Sequence, residues 1–190
     1  MRTFGIDECH RGCVVGPIFI GVFSFNSPTL LEVADSKSLS EKKRLELEKR
    51  LTGRDNIAMV RMATEQKIDE VGILNAEWYA IQTAIDHIHE MYGLKPGDRF
   101  IMDGNQTPKV RLPFGITIEH MVKADCKVPE VMAASIIAKC EADRWLCSHP
   151  EAERYEWSRN KGYLTKRHLE LIREHGVSSI HRHSFKVKIL

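Results

Sequence analysis

From Pro17 to Phe25, Ile18, Ile20 and Val22 alternate with Phe19, Phe23 and Phe25. Successive strand residues point to opposite faces, so a strand here is apolar on both. Such a strand has no face to give to water and belongs in the centre of a covered sheet. The rest of the chain has to supply the cover. Ile57–Ala63, Asp98–Met102 and Ile116–Met121 read as further strands. Ser40 is a good N-cap for a helix over Glu41–Leu51, which Thr52-Gly53 closes. Leu74–Tyr92 is the clearest helix, with Ile81, Ala84, Ile85 and Ile88 at helical spacing and Gly93 as C-cap. Pro129 suits the first turn of a helix over Glu130–Trp145. The small residues Ala133, Ala134, Ser135 and Ala138 let that helix pack closely against the sheet.

Two of the strands run into acids. Phe4-Gly5-Ile6 is followed by Asp7-Glu8, and Phe100-Ile101-Met102 by Asp103-Gly104. Adjacent carboxylates cannot both leave one face of a regular strand. Either one of Asp7 and Glu8 faces solvent, or the strand bulges at Glu8 and aims both at one object. Taken alone, the segment would pass as an exposed acidic turn. A second strand-end carboxylate changes the balance, because neighbouring strand ends hold acids together rigidly. Clustered carboxylates repel unless a cation or a shared proton relieves them. A fourth acid, Asp125, stands just before the small-residue helix. Asp143 is set aside as a ligand, since Lys139 four residues earlier can pair with it.

The net charge of +2 conceals an asymmetry. Arg159–Leu190 carries eight Lys/Arg against two Asp/Glu, leaving 20 basic against 24 acidic residues before it. A basic segment beside an acidic body suits a polyanion gripped next to a metal site, although a solvated helix face would look the same. The five cysteines form no Cys-x-x-Cys pair, which points to reduced thiols and a cytoplasmic protein. Cys9, His10 and Cys13 lack a second cluster to complete a soft-metal site. No run is long enough to span a membrane. The 190 residues suit one domain.

Assembled in order, these pieces resemble the type 2 ribonucleases H, the ribonuclease HII family. The resemblance rests on Gly5-Ile6-Asp7-Glu8 with Arg11-Gly12, Asp35-Ser36-Lys37, Asp103-Gly104 and Lys123-Ala124-Asp125. It continues through Ala133–Lys139, Lys161-Gly162-Tyr163 with Thr165, Lys166 and His168, and His181-Arg182-His183-Ser184-Phe185. It implies an α/β ribonuclease H-like fold: a mixed five-stranded sheet flanked by helices, with a helical C-terminal extension. Residues 1–190 would form one catalytic domain, of which about 146–190 would be a basic, helical substrate-binding part. The additional N-terminal domain of the type 3 enzymes is not expected.

The resemblance also implies an activity. This is endonucleolytic cleavage of the RNA strand of RNA–DNA hybrids, and of single ribonucleotides in duplex DNA, leaving 3′-hydroxyl and 5′-phosphate ends. A related DNA nuclease, or a hybrid-binding protein, is the alternative. Asp7, Glu8, Asp103 and Asp125 would be the catalytic acids and would hold Mg²⁺ or Mn²⁺, which prefer hard oxygen ligands. Cys9, His10, Arg11, Gly12, Lys37, Lys139 and Tyr163 would bind substrate. In the family the turn at Arg11-Gly12 reads the ribose 2′-hydroxyl through backbone groups, and the tyrosine stacks on the adjoining sugar. A monomer acting on hybrid or on ribonucleotide-containing duplex DNA, away from membranes, is expected. The chain departs from the pattern at His10, where family members usually have glycine, and more mildly at Leu164. Glycine permits positive φ and close backbone approach. A histidine there is expected to weaken reading of a single ribonucleotide, by holding the turn off the sugar or by touching a phosphate.

Overall fold

The computed structural model describes residues 1–26, 39–53 and 56–185. Five strands form one mixed sheet in the order β3-β2-β1-β4-β5. They are β1 (Thr3–Cys9), β2 (Ile18–Ser24), β3 (Ile57–Ala63), β4 (Arg99–Asp103) and β5 (Thr117–Met121). β1, β2 and β3 are antiparallel neighbours, while β4 runs parallel to both β1 and β5. β2, apolar on both faces, is buried along its whole length between β1 and β3.

Each face carries a helix of different character. On one, α3 (Ile73–Tyr92) lays Ala76, Ala80, Ile81, Ala84, Ile85 and Ile88 onto Phe4, Ile6, Ile18, Ile20, Val22 and Phe100. Gly93 ends α3 with φ +58, as a left-handed C-cap requires. On the other face lies α4 (Pro129–Ser148), whose Ala133, Ala134, Ile136 and Ile137 pack with Phe23 and Leu51 of α1 (Glu41–Thr52). α4 rides very close to the sheet because Gly5 and Gly21 face it. A Cβ on Gly5 would stand 2.1 Å from the backbone of Glu130, and one on Gly21 2.2 Å from the Ala134 carbonyl. These glycines and the small residues of α4 are one device, dictated from both sides.

Ser40 caps α1 by accepting from the Lys43 amide. A short helix α2 (Glu65–Val71), capped by Thr64, precedes α3. Beyond α4 come α5 (Trp157–Asn160) and α6 (Lys166–His175). Trp157, Leu171, Ile172 and Ile180 bury with Val14, Val15 and Leu146, so the C-terminal segment packs onto the loop that follows β1.

Candidate active site

The two strand-end acids meet through sheet register. β1 and β4 run parallel with Ile6 opposite Met102, so Asp7 and Asp103 come next to each other where β4 and its pairing with β1 end. β1 does not bulge. Asp7 faces Gly21 and Glu8 faces Ile20 in unbroken antiparallel pairing through Cys9, which excludes the second of the two alternatives, a bulge at Glu8. Asp7 leaves on the α4 side, where Ser135 donates a hydrogen bond to it. Glu8 leaves on the α3 side, towards Glu77 and Arg11. Both still reach one cleft of about 440 Å³, which opens where the β1–β4 pairing stops.

The electrostatics of this cleft are frustrated. Burial pushes the Asp7 carboxyl well up, and the charges of Glu8 and Asp103 push it further against the Ser135 hydrogen bond. Burial also raises Glu8, with Asp103 adding and Arg11 opposing. Asp103 is fixed by the amide of Ala124, which donates to its Oδ1 at 2.7 Å. Ala124 opens a single 3₁₀ turn (Ala124–Cys126) on which Asp125 is buried. Asp125 is thus tied to Asp103 through its neighbour but does not line the cleft, which gathers Asp7, Glu8 and Asp103. Among the described residues no three acids, histidines or cysteines already stand at metal-holding spacing. The donor set fits a hard divalent cation all the same: the acids lining the cleft, Asp7, Glu8 and Asp103, offer carboxylate oxygens, and their mutual repulsion is what a cation removes. The thiols of Cys9 and Cys13 are pushed up to about 12 by burial, which disfavours the thiolates a soft metal needs.

The remaining candidates ring the acids. Cys9, His10, Arg11, Gly12, Lys139 and Tyr163 line the same cleft, whereas Lys37 lies outside the described residues. Tyr163 is 47% exposed, and a Cβ on Gly12 would lie 3.6 Å from its Cε1, so ring and turn face each other. Lys139 pairs with Asp143 at 2.7 Å, as their spacing foretells. Asp143 also draws Arg44 at 3.3 Å and Lys161 at 3.9 Å. His10 adopts φ +66, the conformation that glycine takes freely. Its ring has no exposed surface and packs edge-on against Phe19 beneath the turn. Its Nε2 is 3.8 Å from Asp143, beyond hydrogen-bonding range, and both ring nitrogens lack a hydrogen-bond partner among the described residues. Burial lowers its pKa, so the ring stays neutral. The expectation that it touches a phosphate is therefore corrected: the ring points into the protein.

A model of the family described as Ribonuclease HII matches residues 4–188. The chain belongs to the ribonuclease HII family. It is 37% identical over 188 residues to the ribonuclease HII of Francisella philomiragia subsp. philomiragia, covering 98% of this chain and 97% of that one. The crystal structure of ribonuclease H2 from Pyrococcus horikoshii OT3 aligns with a TM-score of 0.76 at 26% identity, over 98% of this chain and 94% of that one. The structure of Bst-RNase HIII in complex with Mn²⁺ aligns at 0.69 and 17% identity, over 98% of this chain and 67% of that one, a likeness of fold. As a ribonuclease HII, the chain is a ribonuclease H, an endoribonuclease of RNA–DNA hybrids.

One part of this ribonuclease HII site escapes sequence reading. Glu77 sits on the buried stripe of α3, one position from Ala76, and is only 1% exposed. It lies 3.3 Å from Arg11, which also reaches Glu8 at 4.0 Å. Burial and the Glu8 charge raise its carboxyl to about 7. An acid in an apolar helical stripe is the signal that could have found it.

Proposed function

We propose that this ribonuclease cleaves both RNA–DNA hybrids and duplex DNA carrying a single ribonucleotide, with divalent cations held by Asp7, Glu8, Asp103 and Asp125. The observation that carries the reading is the register that joins Asp7 to Asp103 at adjoining strand ends, with Glu8 beside them in one cleft. Mg²⁺ or Mn²⁺ bound there would polarise a water and neutralise charge at the scissile phosphate. The protein's own task is positioning. Ser135 and the Ala124 amide orient two of the acids. Tyr163 offers a flat face to a sugar, and the Arg11-Gly12 backbone faces the 2′-hydroxyl across from it. Lys139, and Lys37 beyond the described residues, serve the flanking phosphates. A site built to hydrogen-bond a hydroxyl rejects the analogue lacking it by roughly 10⁴-fold or more. We further propose that the protein acts as a monomer in the cytoplasm. Its free thiols support that location, and no described helix is long and apolar enough to cross a membrane.

The test sets three duplexes side by side: one ribonucleotide in DNA, an all-RNA/DNA hybrid, and all-DNA, each with Mg²⁺ or with chelator. The first two should be cut only with metal, and the third not at all. Cutting of the all-DNA duplex would mark a DNA nuclease. Binding of the hybrid without cutting would mark a hybrid-binding protein.

A further inference from the structure

Arg182 is 1% exposed, and its guanidinium meets no carboxylate within ion-pairing distance among the described residues. A buried charge of this kind has to be compensated by hydrogen bonds. Here all of those observed go to main-chain carbonyls of the loop after β1. Nη2 donates to His10 at 2.8 Å and to Pro17 at 3.0 Å, Nη1 to Arg11 at 3.0 Å, and Nε to Gly16 at 2.8 Å. Four oxygens from both ends of one loop converge on a single planar fork. A guanidinium presents five donors in fixed directions, and a lysine ammonium cannot span them.

The consequence lies on the opposite side of the loop. In a trans peptide the C=O and the following N–H point in opposite directions. Drawing the His10 and Arg11 carbonyls inward therefore turns the amides of Arg11 and Gly12 outward. Both residues line the cleft, and neither amide donates a hydrogen bond among the described residues. Arg182 is itself held firmly. Its amide donates to Val14 O at 2.9 Å, and the Gly16 amide donates to Ile180 O at 2.8 Å. Asp69 accepts from the amides of His183 and Ser184 at 2.9 and 2.8 Å. Tyr163 is set against the same loop, since Val14 donates to Gly162 O at 2.9 Å.

We infer that Arg182 is a positioning residue for sugar recognition: it fixes two peptide planes so that the Arg11 and Gly12 amides face the ribose 2′-hydroxyl opposite Tyr163. This rests on the proposed reading of the cleft. An all-RNA strand offers a 2′-hydroxyl in every register, whereas a lone ribonucleotide offers one, so a loosened turn harms the second substrate more. Displacement of a positioning group by about 1 Å can cost up to ~10²-fold in rate.

The experiment compares wild type, Arg182→Lys and Arg182→Ala on the single-ribonucleotide duplex and on the all-RNA/DNA hybrid, with thermal melts alongside. Folded Arg182→Lys should lose about 10-fold or more in kcat/KM on the single-ribonucleotide duplex relative to the hybrid. Added guanidinium should restore the ratio in Arg182→Ala. Equal losses on both substrates, or none, overturn the inference and leave Arg182 a purely structural residue. If neither variant melts cooperatively, wild-type amide resonances decide. Those of Arg11 and Gly12 must shift with the single-ribonucleotide duplex and not with all-DNA, and unshifted resonances overturn the inference. Wild type that cuts neither ribose-containing duplex would instead bring down the functional reading itself.

Discussion

At the scale of single residues, Asp103 and His10 carry opposite lessons. Asp103 was legible because an apolar strand ending in an acid and a glycine has few other uses. Burial raises the pKa of both Asp7 and Glu8 and the charge of Asp103 adds to it, so the cluster is strained without a cation. Asp103→Asn should abolish cleavage while leaving the metal-free melting temperature equal or higher. Mg²⁺ at ~100 times its Kd should stabilise wild type by about 2.7 kcal/mol and the variant far less, which melts with and without metal will show. Unimpaired turnover would remove Asp103 from the site. His10 was legible as an oddity but not in its consequence, because a sequence does not say which way a ring points. The backbone takes the glycine conformation and the ring goes under the turn. Left-handed strain costs on the order of 1–3 kcal/mol, and the unpaired ring nitrogens add to it. Against this stands the packing on Phe19. His10→Gly should therefore change kcat/KM on the two ribose-containing duplexes by the same factor, within about twofold. A selective gain on the single ribonucleotide would show that the ring displaces the turn after all.

At the scale of elements, the site depends on how near α4 lies to β1 and β2. Hydrophobic alternation marked β2 as central, and the alanines marked α4 as a close packer. What pattern reading could not supply was the pairing of Gly21 with Ala134 and Ala138, and of Gly5 with the backbone of Glu130, contacts between segments more than 100 residues apart. The same closeness delivers Ser135 to Asp7. Gly21→Ala would place a methyl 2.2 Å from the Ala134 carbonyl, a backbone atom that cannot swing aside. Overpacking of this kind costs about 1–3 kcal/mol. The variant should melt earlier by that amount and lose activity beyond its unfolded fraction, since α4 must move and take Ser135 with it. Activity intact in a destabilised protein would separate the helix position from the chemistry. The regular course of β1 belongs here too. A bulge at Glu8 was one of two ways to place adjacent acids, yet β1 stays regular through Cys9, and Asp7 and Glu8, on opposite faces, both line one cleft.

At the scale of the molecule, charge was legible as a sum and illegible as a map. The basic C-terminal segment includes Lys161, drawn to Asp143, and Arg182, spent on loop carbonyls, while Trp157, Leu171 and Ile172 nearby are core. Its exposed cations are the ones to test for phosphate contact. Arg159→Gln and Lys166→Gln should each lower the log–log salt slope of duplex binding by about 0.9 if each meets one phosphate. An unchanged slope would assign both to solvated surface. Asp143 joins the parts of the molecule that the charge sum leaves separate. It binds Arg44 of α1, Lys139 of α4 and Lys161 after α5. Burial disfavours its charge, but the hydrogen bond and charge of Lys139, with the charge of Lys161, outweigh that and hold the carboxyl at about 2. The unfolded chain titrates near the ordinary value of 3.8. Because the folded pKa is the lower one, the stabilisation is present above pH ~4 and is lost as pH falls through about 2. Its size is about 2 kcal/mol, from 1.36 kcal/mol per unit. Asp7 and Glu8, raised rather than lowered, titrate in the opposite sense, so the raw acid curve of wild type mixes both. The clean quantity is the difference in unfolding free energy between wild type and Asp143→Asn. It should shrink by about 2 kcal/mol between pH 5 and pH 2 in urea melts. A difference that stays constant across that range would mean that Asp143 acts there by shape and hydrogen bonding, with its charge contributing nothing to the joining of α1, α4 and the C-terminal segment.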